Sequence, residues 1–264
     1  MWIDTHCHLD AQEFGAESLD VARRASAAGV SMIVIPAVER GNFDVVAQLA
    51  AGAPNANYAL GIHPIYVPQA QEQDLVLLRG AIEAALTDPK FVAIGEIGLD
   101  FFIPMLREPA MRAKQDHFFR EQLRMARDFN LPVLMHVRRS QDQVLKHVRQ
   151  IRPAGGIAHA FNGSFQQAQM YIDLGFKLGF GGAMTFTRAL QIRRLATDLP
   201  LDAIVLETDA PDIAPAWIHP ARNSPEQLPA IGAVLAQLRG LTAQQVQDAT
   251  AANARAALPR LSAA

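Results

Sequence analysis

VAIGEIGLD, residues 92–100, is a short apolar run whose strand portion closes on a carboxylate, Glu96, flanked by Gly95 and Gly98. A run this short, bounded by glycines, reads as a strand buried on both faces rather than as a helix. Neither glycine carries a side chain, so the backbone leaves room around Glu96. A carboxylate so placed either pairs with an arginine beneath it or faces a site above it. Its neighbours decide between the two.

Seven further runs of the same kind occur at 2–8, 31–36, 58–63, 132–136, 156–161, 176–179 and 203–209. Longer amphipathic stretches separate them. The clearest spans 108–129, where Phe118, Phe119, Leu123, Met125 and Ala126 recur close to helical spacing amid Arg, Lys and Glu. Two more, 225–238 and 243–256, follow the last strand. Eight strand–helix alternations in about 250 residues predict an α/β protein of the (β/α)8 TIM barrel type with additional C-terminal helices, rather than an open doubly wound sheet.

Composition agrees with one large core. Half of the 264 residues are hydrophobic and no Ser/Gly-rich or Pro-rich stretch is long enough to link two units, so residues 1–264 read as a single barrel domain. A formal net charge of -2 gives no global attraction to phosphate, and any nucleic-acid contact must come from a local cluster. Cys7 is the only cysteine, which excludes an internal disulfide framework and fits a reducing compartment. No basic leader precedes an apolar run and no run reaches membrane-spanning length. The expectation is a cytoplasmic protein with no membrane contact and no obligate protein partner.

The ionisable residues gather where barrel enzymes place their sites, at the carboxyl ends of the strands. His6 and His8 close the first strand, His63 the third, Glu96 the fourth, His136 the fifth, His159 the sixth and Asp209 the eighth. Alternate residues of a strand share a face, so His6 and His8 enter the mouth together and Cys7 turns outward as a small buried hydrophobe. Four imidazoles and two carboxylates exceed one tetrahedral site and suit two cations about 3.5–4 Å apart. Asp209 can bind a cation and also take a proton from an attacking water. Glu207 alternates with Asp209, either to support a histidine from behind or to form an ion pair in the barrel core. His63, held extended by Pro64, is assigned to the substrate. Of Arg138 and Arg139, one at most is expected to face inward, and Arg138 is assigned to a substrate anion. His117 and His147 fall in helices and read as solvent-facing or capping residues.

Taken in order, IDTHCHLD (3–10), GIHP (61–64), GEIGLD (95–100), LPVLMHVRRS (131–140), HAFNG (159–163), LETDAP (206–211) and the late Asn253 resemble the TatD-type metal-dependent deoxyribonucleases of the amidohydrolase-like barrels. The resemblance runs nearly end to end. It implies that His6, His8 and Asp209 bind one divalent cation, that His136 and His159 bind another, and that Glu96 bridges them. It also implies phosphodiester hydrolysis, as a deoxyribonuclease or 3′–5′ exonuclease. FFIPMLREP (101–109) departs from the family pattern in a loop that follows Glu96.

Three functions follow as expectations. The first is phosphodiester cleavage of DNA or a similar substrate by a metal-activated water, with Asp209 and Glu96 as catalytic residues and His63 and Arg138 on the phosphate. Imidazole and carboxylate ligands accept Zn, Mn, Mg, Ni, Co or Fe. The second is an amidase, lactonase or esterase of the same superfamily, disfavoured by Glu96, since several such enzymes bridge their metals with a modified lysine. The third is a non-catalytic barrel with closed metal sites.

Overall fold

In the computed structural model, which describes residues 1–261, eight parallel strands form one sheet in chain order. They are β1 (Trp2–Asp4), β2 (Val30–Pro36), β3 (Ala56–Leu60), β4 (Phe91–Asp100), β5 (Val133–Arg138), β6 (Gly156–Ala158), β7 (Phe176–Phe180) and β8 (Ile204–Leu206). The seam between first and last strand is drawn together by Thr5, whose N–H and hydroxyl both donate to the Leu206 carbonyl at 3.1 Å. The fold is a (β/α)8 barrel.

Helices α1 (Ser18–Ala27), α2 (Phe43–Gly52), α3 (Glu72–Ala85), α4 (Pro109–Asp128), α5 (Gln141–Ile151), α6 (Phe165–Asp173), α7 (Leu190–Asp198) and α8 (Leu228–Arg239) follow the strands in turn. A last helix, α9 (Ala243–Ala257), begins at Thr242, whose side chain accepts from the Gln245 N–H while the Gln245 side chain accepts from the Thr242 N–H. Among the described residues no helix is long and apolar enough to cross a membrane.

Strand alternation divides the core in two. On β2, Ile33 and Ile35 belong to the layer between strands and helices, whereas Met32 and Val34 belong to a separate inner cluster. Ile3, Val92, Leu134, Ile157 and Val205 join that inner cluster with Ala254 and Ala257 of α9 and Leu258 just after it. α9 therefore closes the amino-terminal end of the barrel, its floor. Asn253 fixes it there, donating to the carbonyls of Leu201 (2.8 Å) and Ile204 (2.7 Å).

β4 is longer than its sequence reading, and the excess builds the site. Ile94 pairs with Val133 but Ile97 with Met135, so β4 spends an extra residue against β5 around Glu96. Such a bulge re-aims a side chain. Gly95 and Gly98 permit it: a Cβ on either would run into Leu134 or the His136 carbonyl.

Two further differences concern segment ends and one histidine. The ladders of β1 and β8 stop at Asp4 and Leu206, and beyond them the chain bonds across the seam, with His8 N–H to Ala210 and Asp209 N–H to His6, while Cys7 N–H still reaches the Val34 carbonyl of β2. His147 is buried, not solvent-facing: Val144, Val148 and Ile151 put its face of α5 inward, and its Nε2 lies 3.2 Å from Asp116. His117 is exposed beside Glu72, as its helical position implied.

Candidate metal centre

Glu96 is 2% exposed and stands at the centre of the barrel mouth. Its two oxygens face different partners. Oε2 lies 3.1 Å from His6 Nε2 and 3.5 Å from His8 Nε2. Those two nitrogens are 3.3 Å apart, and each is 3.7 Å from Asp209 Oδ1. A tetrahedral cation with ligands at about 2.0–2.1 Å holds its donor atoms about 3.3–3.4 Å apart. The donor atoms thus already have the spacing that such an ion requires.

Oε1 faces three imidazoles, His136 Nδ1 at 2.9 Å, His159 Nε2 at 3.2 Å and His63 Nε2 at 3.3 Å. Their outer nitrogens separate them. His63 Nδ1 accepts the Ile65 N–H at 3.1 Å, so a neutral His63 carries its proton on Nε2 and points a donor into the mouth. His136 is reversed: its Nε2 faces Asp100 Oδ2 at 3.2 Å and holds the proton there, which leaves Nδ1 with a lone pair facing Glu96. His159 Nδ1 lies 3.5 Å from Glu207 Oε1, at the outer limit of a hydrogen bond. His136 and His159 thus suit a cation, and His63 suits a hydrogen-bond acceptor.

Electrostatics agree with a centre built around positive charge. Burial opposes ionisation throughout, yet Glu96 is held well below its ordinary range by His63, His6 and His159 around it. Burial also resists charge on His8, but Glu96 and Asp209 outweigh it and raise His8 to about 9. His136 and His159 are raised in the same way, against burial, by Asp100 and Glu96 and by Glu96 and Asp209 respectively. Burial wins at His6, lowered to about 3, and at His63, lowered to about 4. The carboxylates therefore favour positive charge beside three of the imidazoles, a demand that bound divalent cations would also meet.

Supporting groups fix this arrangement from behind. Asp4 Oδ1 accepts from the N–H of Thr208 (2.9 Å) and His6 (3.3 Å), and Oδ2 accepts from the Thr208 hydroxyl (2.6 Å). One buried carboxylate thereby ties the His6 segment to the Asp209 segment. On the far side, α4 uses two glutamines two turns apart. Gln122 exchanges hydrogen bonds with the backbone of Ile62, next to His63, and Gln115 accepts from the Asp100 N–H at 3.0 Å.

The family model for TatD related DNase matches residues 3–259. The chain belongs to the TatD family. Among its relatives in that family, a metal-dependent hydrolase of Haemophilus influenzae is 38% identical over 257 residues, covering 96% of this chain and 97% of that one. The crystal structure of YjjV, a TatD homologue from Escherichia coli, superposes with a TM-score of 0.91 at 37% identity, covering 98% of each chain. A human protein named deoxyribonuclease TATDN3 is 29% identical over 265 residues, covering 98% of this chain and 95% of the human protein. This TatD chain is accordingly a metal-dependent hydrolase.

Above this candidate metal centre opens a cleft of about 980 Å³, lined by His8, His63, His136, His159, Glu207 and Asp209 among others. Arg138 and Arg139 both line it, where the sequence led to the expectation of one. Three contributors went unnoticed in sequence. Asp100 shares the Glu96 face of β4 at period two, a spacing visible once the strand is extended past Gly98. Gln115 and Gln122 carry only their seven-residue spacing as a sign, since glutamine is ordinarily a surface residue. Cys7 is buried in the helix-facing layer, as alternation required.

Proposed function

We propose that this TatD barrel hydrolyses phosphodiester bonds of nucleic acid, acting as a deoxyribonuclease on DNA or a related substrate. His6, His8 and Asp209 hold one divalent cation, His136 and His159 the other, and Glu96 lies between them. The observation that carries this reading is Glu96 itself, with each oxygen turned to a separate set of imidazoles beneath an open cleft that has guanidinium groups on its rim. Two divalent cations bound there supply Lewis-acid stabilisation of phosphoryl charge and a water acidic enough to ionise near neutrality.

The chain's own residues supply the remainder. Asp209 borders the mouth at 16% exposure, where it can accept the proton of an incoming water. His63 donates from Nε2, its tautomer fixed by the Ile65 N–H, to a phosphoryl oxygen. Arg138 offers a planar fork of N–H donors to the same phosphate. Glu207 and Asp100 keep His159 and His136 turned toward Glu96.

The test is protein loaded in turn with Zn, Mn, Mg, Ni, Co or Fe and offered end-labelled single-stranded DNA. Cleavage is expected with at least one metal, and His136→Ala and Asp209→Ala are expected to abolish it. Absence of cleavage with every metal, alongside turnover of a lactone or amide panel, overturns the phosphodiester assignment.

A further inference from the structure

The cleft is electrostatically one-sided. Among the described residues Arg138 and Arg139 are the only Lys or Arg side chains that line it, and both extend from the end of β5. Asp10 and Glu13, after β1, and Asp212, after β8, line its other part. In a barrel ordered β1 to β8, the β4–β5 sector stands across the mouth from the β8–β1 seam. A chain of phosphates therefore meets attraction on one side of the metal centre and repulsion on the other.

On the attractive side the two arginines converge on one aromatic ring. The Phe102 centroid lies 3.8 Å from the Arg138 guanidinium carbon and 4.7 Å from that of Arg139. Asp100 holds this group in place, since its Oδ1 accepts from the N–H groups of Phe102 (2.7 Å) and Ile103 (3.1 Å) while its Oδ2 faces His136. Arg138 lies 3.9 Å from Asp100, so its charge is partly answered within the protein. Among the described residues no carboxylate comes within 4.0 Å of Arg139.

Backbone conformation points to the same place. Among the described residues six other than glycine have positive φ, and four of them, Arg139 (+57°), Ala160 (+45°), Asp209 (+56°) and Ile213 (+43°), line the cleft. Left-handed backbone is unfavourable for a side-chain-bearing residue and is retained where surrounding structure holds it. At Arg139 it sets an unpaired guanidinium beside an aromatic ring that is 42% exposed.

We infer that Phe102 and Arg139 form a nucleotide subsite next to the candidate metal centre, with Arg139 on a phosphate adjacent to the scissile one and the exposed surface of Phe102 against a nucleobase. This rests on the phosphodiester reading and adds which side of the mouth receives the polynucleotide. Bases of every type stack on an aromatic ring, so the subsite reads the presence of a base rather than its identity.

The experiment moves one abasic residue along an end-labelled single-stranded oligonucleotide. For the wild-type protein, one position near the cleavage point is expected to lower kcat/KM about tenfold. Phe102→Ala is expected to lower the fully base-bearing substrate by a similar factor and to erase the penalty at that position alone. Metal-free protein binding the same oligonucleotide, followed by fluorescence anisotropy at rising salt, gives a readout independent of turnover. Arg139→Gln is expected to flatten the dependence of log affinity on log salt by about 0.7, the loss of one phosphate contact on a single strand. Cleavage by the wild type with an unchanged abasic profile in Phe102→Ala and an unchanged salt slope in Arg139→Gln refutes the subsite and leaves the phosphodiester reading standing. A wild-type protein that neither binds nor cleaves the oligonucleotide removes both.

Discussion

The two ends of this barrel are made by the same rule and have opposite chemistry. At the floor, inward-facing Ile3, Val34, Val92, Leu134 and Val205 meet the apolar face of α9. At the mouth, inward-facing His6, Glu96, His136, His159 and Asp209 meet one another. Burial at the floor stabilises the fold by about 25 cal/mol for each Å² of apolar surface removed from water. Burial at the mouth costs free energy unless each charge is answered by another. The floor is thus self-sufficient, whereas the mouth needs counter-charge that the polypeptide does not fully provide.

The contrast is most exposed to failure at Glu96. Glu96→Gln removes the carboxylate facing both imidazole sets and is expected to lower both bound metal, by elemental analysis, and hydrolysis, by about 10³-fold, since metal ions contribute several kcal/mol of transition-state stabilisation. The barrel should remain folded, because the floor is untouched. A variant with wild-type metal content and rate breaks the comparison. Asp100→Ala tests the support behind His136. A weakening of metal affinity by about 10–100-fold is expected in chelator competition. Asp100→Asn should recover part of it, because its amide oxygen still accepts the Nε2 proton. The smallest effect is expected from the floor. Asn253→Ala leaves two carbonyls without their donor and should cost about 2 kcal/mol in urea unfolding, with kcat per folded molecule and metal content unchanged.

Much of the mouth could be read from sequence because its residues sit at strand ends, where period-two alternation and the barrel's polarity leave little freedom. The six ionisable residues that the sequence assigns to metal each bring a side-chain donor atom within 3.7 Å of another of the set. Strand β7, read from only four residues, pairs with both β6 and β8. The distinction between His63 and His136 was less accessible. Both touch Glu96 Oε1, and only the group behind each ring, a backbone N–H for one and Asp100 for the other, sets which nitrogen is bare. Such partners come from turns and bulges whose geometry no periodicity encodes. Arg139 is a similar case, because its left-handed backbone depends on the turn from β5 into α5.

Closure of the floor by α9 also has a consequence for how the protein is made. Ile3 and Leu261 belong to the same apolar cluster, so among the first and last described parts of the chain are the two halves of one seal. At about 5–20 residues per second, a ribosome takes roughly 10–50 s to travel between them. Throughout that interval the inner faces of the finished strands have no lid, and their apolar side chains stay without their cover. Every residue of the candidate metal centre, from His6 to Asp209, therefore leaves the ribosome before the helix that closes the floor.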